Sequence, residues 1–201
     1  MKERLIDVIN AVKDDAKEFT LNSDMLAEVI TEGCDIVVSE NVASLIGSIL
    51  GAALPRMNAI ITNYKQNRFE RNVKKALDIM IGRIETVENN YSLLNMDIQK
   101  RYKTLYNEWL LDSLDDEKQE EKIPYYMNGY INLMNSTVND NLMLMYFNII
   151  TEMTNLDIEV LKIYDINSPE NISSISEKYH LEPEQIRVIK EILVRLGMLN
   201  S

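Results

Sequence analysis

Apolar side chains recur at three- and four-residue spacing along nearly the whole chain, and that period sets the fold class. Leu5, Val8, Ile9, Val12, Ala16 and Phe19 form one stripe. Met57, Ile60, Ile61, Tyr64, Val73, Leu77, Met80, Ile81, Ile84 and Val87 form a longer one. Leu94, Ile98, Tyr102, Leu105 and Trp109 continue the pattern, and Ile186, Ile189, Leu193 and Leu196 repeat it near the end. A half-buried strand would alternate with a period of two instead. With 6 glycines and 4 prolines in 201 residues, there is little to punctuate a turn-rich β fold. The chain reads as all-α: a multi-helix bundle with one long helix and a small C-terminal helix-turn-helix-like module.

Interruptions in the pattern predict where elements end. Residues 20–23 break the first stripe, and Ser23 suits the N-cap of a second helix carrying Met25, Leu26, Val29, Ile30 and Val37. Pro55 disfavours helix in the residue before it and fits a first helical position. One helix is therefore expected to end near Leu54 and a long one to begin at Pro55. Some 30 residues at the helical rise would reach about 45 Å. Residues 111–122, LDSLDDEKQEEK, read as a surface loop or solvated helix end. Pro124 marks a further helix start. The run NLMLMYFNIITEMTNLDIEVLKIYD, residues 141–165, is the most apolar and is expected to be the most buried. Ser168 and Pro169 form an N-cap and first-turn pair. They place a boundary near Asn167, between a helical body (residues 1–166) and the C-terminal module (residues 167–201).

Charge and special residues narrow the function classes. The formal net charge of −11 repels nucleic acid as a whole, so binding to it needs a local basic patch. A single cysteine, Cys34, excludes an intramolecular disulfide and fits a cytoplasmic protein. Charges within residues 1–19 break up any signal-peptide core. The apolar span 42–54 falls short of the roughly 20 residues a membrane-crossing helix needs. His180 and Cys34 are far apart, and no phosphate loop, zinc-finger spacing or HExxH pattern is present. No catalytic residue, metal or cofactor is expected. His180, in EKYHLEPE, reads as structural or solvent-facing.

Three features remain as candidate sites. Ala43, Gly47 and Gly51 recur every four residues, with Ser44, Ser48 and Ala52 in the next row, giving a flat helix face suited to close helix packing. The alternative is a surface for a partner or a bilayer. Arg68, Arg71 and Lys75 fall at i, i+3 and i+7 on one side of a helix. That strip can bind phosphates or an anionic membrane surface, or face the acidic residues 112–121 of the same molecule. The C-terminal stretch ENISSISEKYHLEPEQIRVIKEILVRLGML pairs two short amphipathic helices and ends at Gly197, a natural C-terminal cap. It resembles the helix-turn-helix core of winged-helix domains. Arg187 and Lys190 lie on its second helix, diluted by Glu182, Glu184 and Glu191, so protein contact weighs at least as much as DNA reading.

The order of features over residues 43–165 is similar to the Abi-alpha group of bacterial and prophage proteins, linked to abortive phage infection. The resemblance rests on a small-residue helix running into Pro55, the basic stretch RFERN, the sequence KIPYYMNGY and the apolar helix after it. It implies a phage or prophage setting in a low-GC bacterium and no catalytic residue. The expected function is a non-enzymatic interaction factor that docks on a protein partner, with Arg68, Arg71, Lys75, Arg187 and Lys190 as candidate contacts. A DNA-binding regulator using the C-terminal module, and a peripheral membrane effector using residues 42–54, are the alternatives; homo-oligomerisation stays open.

Overall fold

The computed structural model describes residues 2–15, 36–60, 62–135, 139–164 and 172–200. They fall in two compact units, Met1–Phe147 and Asn148–Ser201. Asn167, the boundary read from sequence, lies outside the described residues, as do Ser23, Cys34, Ser168 and Pro169. The fold is an all-α bundle with one short ribbon, β1 (Lys2–Arg4) antiparallel to β2 (Val37–Ser39). Val37 thus belongs to a strand, not to a second helix. Glu88 ties the ribbon down, because its Oε1 accepts from the Ser39 N–H at 2.5 Å.

In the first unit, α1 (Leu5–Asp15) packs on α2 (Glu40–Ala59). There follow α3 (Asn63–Gly82), α4 (Ile84–Leu93), α5 (Met96–Lys103), α6 (Leu105–Asp116) and α7 (Ile123–Asn132). α2 packs against α3, α5 and α6, while α3 packs against α6 and α7. The core between them is unusually rich in tyrosine: Tyr91, Tyr102, Tyr106, Tyr126 and Tyr130 are fully buried. Tyr102 meets Tyr91, Tyr106 and Tyr130 edge to face, with ring centroids 6.2, 5.0 and 5.1 Å away, the geometry that aligns ring edges with ring faces.

Pro55 does not divide the helix where the sequence predicted. α2 runs through it to Ala59. A proline inside a helix costs about 3 kcal/mol, but Leu50, Ala53, Leu54 and Met57 around it are all buried, and each large apolar side chain gains roughly 1.5–3 kcal/mol by burial. Burial wins. Pro55 and Gly51, four residues back, are both exposed, so water can bond the carbonyl that loses its partner. The predicted continuous helix from Pro55 to Val87 is instead broken twice. Ile60 and Thr62 are extended. At Arg83 the backbone leaves the helix (φ −118°, ψ 24°), and its guanidinium donates to Asn128 Oδ1 and Asn132 Oδ1 on α7, both at 2.7 Å. The stripe from Leu94 to Trp109 likewise splits, at Thr104 (φ −125°, ψ −92°).

Residues 111–122 are a helix end and turn solvated on one side only, where Asp112, Asp116, Lys118, Glu120 and Glu121 are exposed. α6 continues to Asp116, and Leu111, Ser113, Leu114, Glu117 and Lys122 are buried. The charged letters hide a leucine stripe, Leu110, Leu111 and Leu114, that stays in helical phase.

The run 141–165 forms two helices, α8 (Asp140–Glu152) and α9 (Asn155–Ile163). Thr154 and Asp157 separate them with a capping box: Thr154 Oγ1 accepts from the Asp157 N–H at 3.2 Å, and Asp157 Oδ2 accepts from the Thr154 N–H at 2.7 Å. α8 is not the most buried helix, since Leu144 and Met145 are exposed while Met143, Phe147 and Ile150 are buried. The division between the two units falls within α8.

In the second unit α9 packs against α10 (Ile172–Tyr179) and α11 (Pro183–Arg195). Ile158, Val160, Ile175, Ile186, Ile189 and Leu193 are buried. Both later helices stop on a left-handed residue. Gly197 (φ 73°) follows α11, with the Met198 N–H on the Leu193 carbonyl (2.9 Å) and the Gly197 N–H on the Val194 carbonyl (3.0 Å). This is the Schellman closure predicted from the glycine. His180 (φ 53°) does the same after α10, with the Leu181 N–H on the Ser176 carbonyl at 2.9 Å.

Candidate functional site

The basic strip lies along the contact of α3 with α6 and the loop after it. α3 buries Phe69, Asn72, Val73, Ala76, Leu77 and Met80, and that register sets the neighbouring polar positions. Arg68 Nη2 donates to the Asp115 carbonyl at 2.7 Å. One turn on, Asn72 Nδ2 donates to the carbonyls of Leu114 (2.8 Å) and Glu117 (3.0 Å). Lys75 Nζ meets Glu120 Oε1 at 3.2 Å. A helix end leaves carbonyls without intrahelical partners and carries partial negative charge; here α3 supplies the donors that cap α6. Lys75 therefore pairs with an acidic side chain of its own chain, while Arg68 caps a backbone carbonyl of the same segment. Arg71 is exposed and has no partner among the described residues. Arg56, near the end of α2, reaches Glu108 and Asp112 of α6 in the same manner.

Behind this strip is a buried ion pair. Lys122 Nζ lies 2.6 Å from Glu117 Oε2, and both residues are almost fully buried. The Glu117 carboxylate also accepts from Tyr126 Oη (3.0 Å) and from the Gln119 N–H (2.8 Å), which offsets part of the desolvation cost of the charge. The Lys122 ammonium stands 5.8 Å from the centre of the Tyr126 ring. Neither member was singled out in the sequence, since four residues of loop and 3-10 turn separate them.

A second polar chain crosses the tyrosine core. Tyr130 Oη donates to Asn107 Oδ1 (2.5 Å), Asn107 Nδ2 donates to Ser48 Oγ (2.7 Å), and Ser48 Oγ donates to the Leu45 carbonyl (2.7 Å). Burial pushes the phenols of Tyr91, Tyr102 and Tyr130 far up, so they stay protonated and serve as packing and hydrogen-bonding groups. Tyr106 is pushed up to about 12, first by burial and then by its hydrogen bond to Asp140 (2.9 Å). Asp140 in turn is held below the usual carboxylate range, first by Arg101 and then by Tyr106. Among the described residues no group of three or more His, Cys, Asp or Glu comes together to hold a metal ion, and no helix is long and apolar enough to cross a membrane.

The remaining sequence candidates are placed as follows. Ala43 is buried; a Cβ on Gly47 would lie 3.5 Å from Val8 Cγ1 and 3.7 Å from Val12 Cγ2. α1 therefore crosses α2 at Gly47. Gly51 is exposed, with no described atom within 4 Å of a Cβ built there. In the second unit Arg187 is held by two carboxylates, donating from Nε to Glu184 (3.1 Å) and from Nη1 to Glu191 Oε1 (2.7 Å). Lys190 Nζ lies 5.6 Å from the centre of the Tyr164 ring, a cation–π distance. Val188, next to Arg187, is 45% exposed.

Compared with known proteins, the chain matches no family model, no curated protein and no solved structure.

Proposed function

We propose that this chain is a non-enzymatic docking factor of the bacterial cytoplasm that holds a protein partner on the exposed face of α11. The observation that carries the reading is the state of Arg187: Glu184 and Glu191 already bracket its guanidinium, and Val188 stands exposed beside it. A phosphate backbone would meet these two carboxylates with the arginine. A protein surface with mixed charge and a small apolar pocket suits the same face, because rim charges steer encounter while the apolar contact supplies affinity. The strip on α3 points the same way, since Arg68 and Lys75 are turned to their own chain and leave Arg71 as its exposed cation. The phage or prophage setting rests on the resemblance of pattern over residues 43–165.

A specific feature keeps the DNA-binding regulator as the second reading: the connection His180–Leu181–Glu182 between α10 and α11 has the three-residue length of a helix-turn-helix.

Nuclease-treated affinity capture from the host, with and without phage, separates the two. The docking reading expects a stoichiometric protein retained by the wild type and lost with Val188→Asp. Capture indifferent to Val188→Asp and Arg187→Glu refutes this surface. Duplex binding that falls steeply with salt would move the assignment to the regulator.

A further inference from the structure

The corner between α4 and α5 is fixed by its own hydrogen bonds. Asn95 Oδ1 accepts from the Ile98 N–H (3.0 Å) at the start of α5. Gln99 Nε2 donates to the carbonyls of Tyr91 (3.1 Å) and Leu94 (3.0 Å) at the end of α4, and Tyr91 Oη donates to the Gln99 carbonyl (3.1 Å). None of these bonds uses the side chain of Met96, the first residue of α5. That side chain is 86% exposed.

Methionine is normally a gap-filler of the core, and most of the described methionines serve that way. Met57, Met80, Met127, Met134, Met143 and Met153 are buried, while Met145 is 52% and Met198 37% exposed. At 86% exposure the Met96 thioether adds little to packing. Its sulfur lone pair is open to solvent on a corner that other groups hold in place. Thioether oxidation needs no activating neighbour, so access to the oxidant decides which methionine reacts.

We propose that Met96 is a reversible oxidation site that takes oxygen from hydrogen peroxide. A sulfur lone pair attacks one peroxide oxygen, and the S–O bond forms as the O–O bond breaks. The departing hydroxide collects the proton left on the transferred oxygen and leaves as water. Sulfur is oxidised by two electrons and the peroxide is reduced by two. Reversal takes a methionine sulfoxide reductase: two thiols become a disulfide, and the oxygen leaves as water. Peroxide is uncharged, so a net charge of −11 does not keep it from the surface. The sulfoxide turns an apolar tip into a polar one and leaves the hydrogen bonds of the corner in place. Oxidation therefore changes the surface and spares the fold. This modification goes beyond the docking of a partner on α11 and uses none of its residues.

Timed exposure of the purified full chain to hydrogen peroxide, quenched with catalase and read by peptide-mapping mass spectrometry, tests it. Met96 is expected to oxidise ahead of every other described methionine. The six buried ones should lag by at least roughly tenfold, because a buried sulfur reacts only through local opening. Circular dichroism and melting should stay unchanged when Met96 is fully converted. Treatment with sulfoxide reductases of both epimer specificities and dithiothreitol should then restore the thioether. Oxidation of Met96 no faster than that of the buried methionines, or slower than that of Met145, overturns the proposal. So does unfolding in step with Met96 conversion, or a sulfoxide that the reductases leave in place.

Discussion

Gly129 lies buried on α7 under the ring of Tyr146 from α8, and replacing it by alanine puts the local packing to a direct test. A Cβ built there would sit 1.9 Å from Tyr146 Cε1, 2.4 Å from Cδ1 and 2.5 Å from Cζ. Carbon atoms in contact sit about 3.5–4.0 Å apart, so the ring must retreat by about 1.5–2 Å. It is not free to do so, because Tyr146 Oη donates to the Tyr125 carbonyl at 2.7 Å, one turn before Gly129 on the same helix. Losing that bond costs about 1 kcal/mol, and forcing the packing apart about 1–3 kcal/mol. Alanine recovers about 1 kcal/mol through its helix propensity. The net expectation for Gly129→Ala is a loss of about 2 kcal/mol. In urea unfolding followed by circular dichroism, that lowers the midpoint by about 1 M at an ordinary m-value. In a Tyr146→Ala background the ring is gone, and Gly129→Ala should become neutral or stabilising by up to about 1 kcal/mol. The reasoning fails if the single variant unfolds like the wild type, or if alanine costs as much without the ring as with it.

Two further outcomes follow from the polar contacts. Lys122→Met leaves the Glu117 carboxylate buried without its counter-charge, so a loss of about 3–5 kcal/mol is expected, mostly recovered in the Glu117→Gln/Lys122→Met double variant; a loss below about 1 kcal/mol would mean that water reaches the pair. Arg68→Glu removes the donor on the Asp115 carbonyl and should cost about 1–3 kcal/mol, whereas Arg71→Glu, at an exposed position, should stay within about 0.5 kcal/mol of wild type. Equal melting temperatures for the two variants would refute the division of the strip.

Much of the local architecture was legible in the residues. The helical period predicted an all-α bundle, and Gly197 marked the end of α11 because only a left-handed residue closes a Schellman turn cheaply. Pro55 misled because its penalty is local, whereas the burial of Leu50, Leu54 and Met57 that outweighs it is set by neighbouring helices. Residues 111–122 misled in part: charge was read as exposure, which holds for Asp112, Asp116, Lys118, Glu120 and Glu121 but not for the buried Glu117 and Lys122. The segment's partners on α3 lie more than forty residues earlier, in Arg68, Asn72 and Lys75.

The two sources of information thus divide along a physical line. The residues alone carried the helical period and the left-handed stop at Gly197, since these depend on spacing within a turn or two, but not the second such stop at His180. Only the tertiary structure decided which charges are spent inside the molecule and which side chains stand unpartnered. Arg68 and Arg71 are three residues apart on α3, yet one caps α6 and the other is exposed. So too, Leu93 and Met96 are as apolar as the core residues around them yet stand exposed. Hydrogen-bond partners and exposure are properties of what packs against a residue, and that neighbour is fixed by the folded chain.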